Sequence, residues 1–276
     1  IGGFVLFAPI CKGNSDIDCD IELKKTPSPY LYFDKILFVN PPTGGKIYQN
    51  LADRKLIAIE PPVWCRLLAS YCERKGIKAE IVDANALGYD AETIAAAIRD
   101  ERKSYYIAQE LIVIVAHGHQ PSASTQTMPS VIEMSRAIKG ATPEIPVLIV
   151  GGHPAALPER TLEETGADFV CTGEGPETIL SLISGIKTGL CFADHVPGIC
   201  YNLTGKPVHS RWPAQNVWNL TEEMPGGMWD KLPMDRYRAH GWHAFTNGCE
   251  RKPYASIYTT LGCPYSCSFC NIQNPF

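Results

Sequence analysis

Between Asp34 and Ser184, short and almost wholly apolar runs alternate with longer stretches of helical period, and this alternation confines the chain to a narrow set of folds. Five runs have the length of strands: Lys35–Asn40 (KILFVN), Ala79–Ala84 (AEIVDA), Leu111–Ala116 (LIVIVA), Val147–Gly151 (VLIVG) and Asp168–Thr172 (DFVCT). Runs this apolar must be covered on both faces, as the strands of a parallel sheet are. The segments Pro62–Lys75, Ala91–Lys103, Pro129–Lys139, Pro158–Thr165 and Pro176–Ser184 begin near Pro or an acidic residue, and Gly76, Gly140 and Gly166 supply stop signals. Strand, right-handed helical crossover and parallel strand, repeated, predict an α/β fold with a doubly wound sheet of five parallel strands. In such a sheet ligands sit beyond the carboxyl ends of the strands, where the strand order switches direction.

The organisation follows from where the period holds. Residues 1–33 read as an N-terminal extension and 34–185 as the α/β domain. Residues 186–252 read as a connector, in which Gly198–Ser210 (GICYNLTGKPVHS) predicts a hairpin turning at Thr204-Gly205. Tyr254–Thr260 (YASIYTT) predicts a new strand that opens a further domain over residues 253–276. The Trp/Tyr-rich stretch Trp229–Trp242 is expected to pack domains together. The first residue is Ile and the first Met is Met128, so a piece of a longer chain is expected.

Composition excludes several classes. Apolar residues make up 45% and charged residues 20%, which is globular and neither disordered nor fibrous. A formal charge of −4, with no basic stripe, gives no electrostatic footprint for nucleic acid, and a small-molecule substrate is the better partner. The apolar stretch Gly2–Ile10 is too short to span a bilayer and lacks a basic leader, so no membrane is expected and the cytoplasm is the default location. Eleven cysteines, an odd number in a chain this long, read as thiols and metal ligands rather than as a disulfide framework. Cys11, Cys19, Cys65, Cys72, Cys171, Cys191 and Cys200 have no ligand spacing and are expected to be buried or idle.

Chemistry concentrates at Cys263-Pro264-Tyr265-Ser266-Cys267-Ser268-Phe269-Cys270, a C-x3-C-x2-C loop. A closed zinc site takes four protein ligands, whereas an iron–sulfur cube held by three cysteinates leaves one iron open to substrate. A structural zinc site could recruit Cys249, His243 or His240 as a fourth ligand, which would make the chain a non-catalytic α/β ligand-binding module. Upstream, the first strand is followed by neither G-x-G-x-x-G nor a Walker A loop. The strand ends are instead small or polar: Asn40-Pro41-Pro42, His117–Thr125, Gly151-Gly152-His153-Pro154 and Gly173-Glu174-Gly175. Glycines there permit a flat ligand to approach the backbone. Glu174 could accept a hydrogen bond from that ligand, while Glu177 favours the start of its helix through the dipole.

The cysteine loop, with an aromatic residue just before its third Cys, resembles the radical S-adenosylmethionine superfamily. The strand-end series resembles the cobalamin-binding, Rossmann-like domain that precedes the barrel in many of its members. That resemblance covers about Lys35 to the end of the chain. It implies that Cys263, Cys267 and Cys270 ligate a 4Fe-4S cluster whose open iron chelates S-adenosylmethionine, and that reductive cleavage there yields a 5′-deoxyadenosyl radical. It implies cobalamin as a further cofactor. Asn40, Pro41 and Pro42 would sit at the pocket, Ser122, Ser124 and Thr125 would line it for the nucleotide tail, Gly151 and Gly152 would flank it, and Gly173, Glu174 and Gly175 would close it.

Radical methyl transfer to an unactivated centre, supported by an external electron donor such as flavodoxin or ferredoxin, is the implied activity. Residues 253–276 would then be the first strand and cluster loop of the barrel, and this fragment alone is expected to be inactive. None of the seven histidines has Asp two residues before it, so the Asp-x-His-x-x-Gly loop that supplies a lower cobalt ligand in methionine synthase is absent. His117 and His119 are expected at a strand end, facing solvent or bonded to backbone.

Overall fold

The computed structural model describes residues 35–42, 57–104, 110–118, 123–188, 195–240, 251–252, 254–263, 265 and 267–269. Its strands are β1 (Lys35–Asn40), β2 (Lys78–Asp83), β3 (Glu110–Val115), β4 (Val147–Val150), β5 (Phe169–Cys171), β6 (Ile199–Leu203) and β7 (Lys206–His209). Its helices are α1 (Val63–Arg74), α2 (Ala84–Leu87), α3 (Ala91–Ser104), α4 (Ser124–Ala141), α5 (Gly152–Ala156), α6 (Pro158–Thr165), α7 (Pro176–Thr188) and α8 (Leu220–Glu223). Among the described residues, no helix is long and apolar enough to cross a membrane.

The sheet order is β2-β1-β3-β4-β5-β6-β7, and β1 to β5 are parallel. Along β1 the side chains alternate between two cores, Ile36 and Phe38 on one face and Leu37 and Val39 on the other. The first core carries Trp64, Leu68 and Tyr71 of α1 and Ile179 and Leu182 of α7, and the second carries Ile94 and Ile98 of α3 and Val131 and Met134 of α4. Burial of this kind contributes about 1.5–3 kcal/mol per large aliphatic side chain, so the two-faced sheet explains the near-continuous apolar runs. The five predicted strands lie within a residue or two of where they form.

The predicted hairpin also forms. Thr204 and Gly205 both take positive φ (51° and 83°), matching a two-residue turn to the twist of the flanking strands. The hairpin extends the parallel sheet, because β6 pairs antiparallel with β5 (Phe169↔Tyr201, Cys171↔Ile199). A turn signal announces that two strands pair with each other; it does not say which sheet edge they join.

Three local expectations are corrected. Helix α4 begins at Ser124, with Pro129 inside it. The carbonyl that loses its donor belongs to Thr125, one turn earlier and solvent-exposed, where that loss is tolerable. Gly140 lies within α4, whereas Gly166 does end α6 at φ 65°. Residues 254–260 form no strand, since no described strand lies beside them to supply a ladder.

The connector is fastened to the sheet by buried polar contacts. Arg66 of α1 is 2% exposed, lies 3.2 Å from the ring centre of Trp229 and donates from Nη2 to Gly226 O at 2.6 Å. Burial lowers its pKa to about 10, so it stays charged at neutral pH, with the ring face and carbonyl replacing part of its hydration. Trp229 thus packs the connector onto α1. Glu174, after β5, is 6% exposed and accepts from Val217 N at 3.0 Å. Burial raises its pKa and that one N–H only partly offsets the rise.

Two predictions follow from these contacts. A Cβ on Gly151 would sit 2.4 Å from Ala116 O, a collision with backbone that no rotamer relieves. Gly151→Ala should therefore cost about 3 kcal/mol, read as a lower urea midpoint, and an unchanged midpoint would contradict the packing of β4 on β3. Glu174 holds its proton in the folded chain at pH values where the unfolded chain has released it. Stability should thus fall as pH rises above 4.5, the ordinary value. Glu174→Gln keeps an acceptor for Val217 and should flatten that slope in urea titrations run from pH 4.5 to neutrality.

Candidate functional site

Parallel strands deliver their carboxyl ends to one edge of the sheet, and the four predicted strand-end segments converge there. The order β2-β1-β3-β4-β5 makes the chain leave β1 toward β2 but return on the other side of β1 as β3, so the loops after β1 and β3 diverge. Asn40 ends β1, and His117 and Gly118 follow β3. Ser124 and Thr125 open α4, Gly151 and Gly152 follow β4, and Gly173, Glu174 and Gly175 follow β5. Ser122, His119 and Cys270 lie outside the described residues, as does the N-terminal extension.

Most polar side chains at this edge are already engaged by the protein. Asn40 Nδ2 donates to Asp83 Oδ1 at 2.8 Å, and Asp83 caps α2 by accepting from Ala86 N at 3.1 Å. The other carboxylate oxygen, Oδ2, accepts from Tyr237 OH at 2.9 Å. Tyr237 is fully buried, and burial with the Asp83 charge pushes its phenol far above the ordinary range. Burial, then the same charge, also push up the Cys65 thiol. Pro41 is buried and Pro42 half-buried.

Ser124, 0% exposed, donates to Ala116 O and accepts from His153 N at 2.9 Å, tying the loops after β3 and β4 together. Thr125 Oγ1 lies 3.2 Å from His153 Nδ1 on the exposed side. Burial, with a smaller contribution from Arg160, lowers the pKa of His153.

The glycines have an internal reason to be glycines. A Cβ on Gly175, at φ 114°, would meet Leu68 and Val150 at 3.1 Å, and Gly151 lies against Ala116. Glycine here lets α7 and β4 approach the core closely, where the sequence suggested approach by a ligand. Glu174, read as a possible ligand contact, spends its acceptor on Val217 N. Gly173 is half-buried, with its N–H 3.5 Å from Cys171 Sγ.

His117 departs from expectation. Neither solvent-facing nor bonded to backbone, it is 2% exposed and stacks on Trp64 with ring centres 4.1 Å apart and planes 11° from parallel. Among the described residues, neither ring nitrogen has a hydrogen-bond partner. Burial lowers its pKa to about 3, so the ring is neutral, with one donor and one acceptor nitrogen. The partner that displaced solvent is Trp64, at the start of α1, whose indole face has no signature in the local sequence around His117.

The cysteine loop is described in part. Cys263 and Cys267 are exposed free thiols, Tyr265 and Phe269 are 70% and 90% exposed, and Gly262 takes φ 78°. Arg66 Nη1 lies 3.5 Å from Ser256 O, so α1 also touches the segment that leads to this loop. Cys65, Cys72, Cys171 and Cys200 are buried and free, as expected of thiols without ligand spacing. Exposed thiols suit a cluster that must be loaded, and a neutral imidazole with unused hydrogen-bonding capacity suits a ligand arriving at the strand ends. The residues present fit both implied cofactors. Asp83, Tyr237, Arg66 and Trp64 were not singled out from sequence as site residues, because each matters through a partner distant in the chain.

Residues 54–183 match the B12 binding domain family. The chain is 28% identical over 243 residues to the uncharacterized methyltransferase PH0819 of Pyrococcus horikoshii, covering 88% of this chain and 46% of the relative. It is 32% identical over 148 residues to the hopanoid C-3 methylase of Methylococcus capsulatus, covering 52% of this chain and 25% of that protein. It therefore spans about half or less of the curated relatives it matches. In fold it resembles the radical S-adenosylmethionine methyltransferase TsrM from Kitasatospora setae, solved with cobalamin and a [4Fe-4S] cluster bound. The TM-score is 0.56 at 21% identity, over 88% of this chain and 42% of that one. Residues 54–183 thus match a B12 binding domain, and a C-x3-C-x2-C loop follows downstream on the same chain.

Proposed function

We propose that the protein to which this chain belongs is a cobalamin-dependent radical S-adenosylmethionine enzyme that transfers a methyl group to an unactivated centre of a small-molecule substrate. The observation that carries this reading is the presence, on one chain, of a match to a B12 binding domain, whose sheet reverses strand order between β1 and β3, and a three-cysteine loop downstream. The curated relatives named methyltransferase and methylase support the reaction class. When bound, the cluster would supply the electron that splits S-adenosylmethionine and the corrinoid would supply the methyl group.

The residues of this chain divide that work. Cys263, Cys267 and Cys270 would hold the cluster through their thiolates. The strand ends from Asn40 to Gly175 would seat the corrinoid, and Ser124 ties the loops after β3 and β4 together. Arg66 and Tyr237 fasten the connector to α1 and β2, so that the segment leading to the cysteine loop starts from a fixed position. Positioning the methyl donor against the substrate and excluding water is the protein's share of the catalysis. An external donor such as flavodoxin or ferredoxin would deliver the electron, in the cytoplasm, where thiols stay reduced.

Anaerobic reconstitution of this chain with iron and sulfide should produce broad thiolate-to-iron charge-transfer absorbance, lost when all three cysteines become Ala. Stoichiometric zinc with no iron uptake would instead make the loop a structural metal site and the chain a binding module. Titration with hydroxocobalamin should give a saturable spectral change that survives the triple substitution. Its absence would sink corrinoid binding while leaving the cluster standing.

A further inference from the structure

We propose that His117 is the buried polar contact for the nucleotide tail of the corrinoid, its ring plane set by the stack on Trp64. This inference rests on the corrinoid-binding reading above and assigns one residue within it.

Buried polar atoms in folded proteins are paired almost without exception, and an orphan buried donor or acceptor costs stability. His117 holds two such atoms, 2% exposed, with no partner among the described residues. The other polar side chains named at this edge are occupied: Asn40 and Tyr237 by Asp83, Ser124 by Ala116 O and His153 N, and Glu174 by Val217 N. The two His117 nitrogens, without a partner among the described residues, stand at the end of β3, beside the divide between β1 and β3. That is where a doubly wound sheet takes its ligand.

The form of the group narrows the ligand. Burial keeps the ring neutral, so it offers one N–H and one lone pair rather than a charge. That pair suits the ribose hydroxyls and base nitrogen of a nucleotide better than an isolated anion. The stack, at 4.1 Å and 11°, removes the ring's freedom to turn toward another partner. Depth decides which part of the corrinoid reaches it. A macrocycle lying across the strand ends meets exposed groups such as Thr125, whereas a residue buried against α1 is reached by a slender arm descending from it.

His117→Phe keeps a flat ring against Trp64 and deletes both nitrogens. It is expected to weaken hydroxocobalamin binding by the 276-residue chain about tenfold, the loss of one hydrogen bond. Binding of cobinamide, the corrinoid without its nucleotide, should change less than about twofold. The variant's urea midpoint should be equal to or above the parent's, because the orphan atoms are gone. Affinity lost with no loss of stability is a signature that a merely structural histidine does not give.

Equal hydroxocobalamin affinity in parent and variant overturns the inference and leaves corrinoid binding intact. An equal loss with cobinamide also overturns it, since the contact would then be to the ring. No binding by the parent overturns both. Should His117→Phe fail to fold, the 15N shifts of the His117 ring in the parent decide the matter. They should move on adding hydroxocobalamin and stay fixed on adding cobinamide, and movement with both or with neither contradicts the proposal.

Discussion

The order in which five parallel strands lie side by side governs everything else in this chain. Because β1 sits between β2 and β3, the connections leaving β1 and β3 pass to opposite faces, and the carboxyl edge opens between them. The pattern is enforced by burial. Strands covered on both faces by α1 and α7 on one side and α3, α4 and α6 on the other cannot shift register without carrying apolar side chains out of two cores at once. The edge is therefore held rigidly from beneath while its loops remain free to differ in chemistry.

What the edge does with its polar groups follows from the cost of burying them. Asp83 accepts from Asn40, Ala86 and Tyr237, so a carboxylate 1% exposed is surrounded by donors and ties β1, α2 and the connector to β2. Arg66, equally hidden, is met by the face of Trp229 and a carbonyl. Charges buried with such partners are tolerated, and removing a partner is far more damaging than the pair is stabilising. Beside Asn40, Asp83 and Ser124, which are engaged within the protein, a neutral imidazole whose two nitrogens have no partner among the described residues is free to serve a ligand.

Much of the fold could be read before the structure, and for a clear reason. A strand buried on both faces writes an unbroken apolar run, so KILFVN, LIVIVA and VLIVG announce themselves without tertiary information. The Thr204-Gly205 turn is equally local. Illegible features were those decided by distant neighbours: that β6 would join β5, that Pro129 would lie inside α4, and that His117 would find Trp64 fifty-three residues earlier in the chain. The glycines at the strand ends were legible as special, yet the structure gives two of them a different occupant, since the protein's own backbone and side chains fill the space at Gly151 and Gly175. The cysteine loop was legible as a motif because its chemistry lies in spacing alone; Cys270 falls outside the described residues.

The central claim is that the carboxyl edge of the parallel strands is where a corrinoid sits, and amide hydrogen exchange with and without hydroxocobalamin addresses it residue by residue. Slower exchange is predicted at residues 40, 117–118, 124–125, 151–153 and 173–175, with the hairpin at 199–209 unaffected. Slowing confined to the hairpin, or saturable binding that leaves all of those strand ends unchanged, would contradict it.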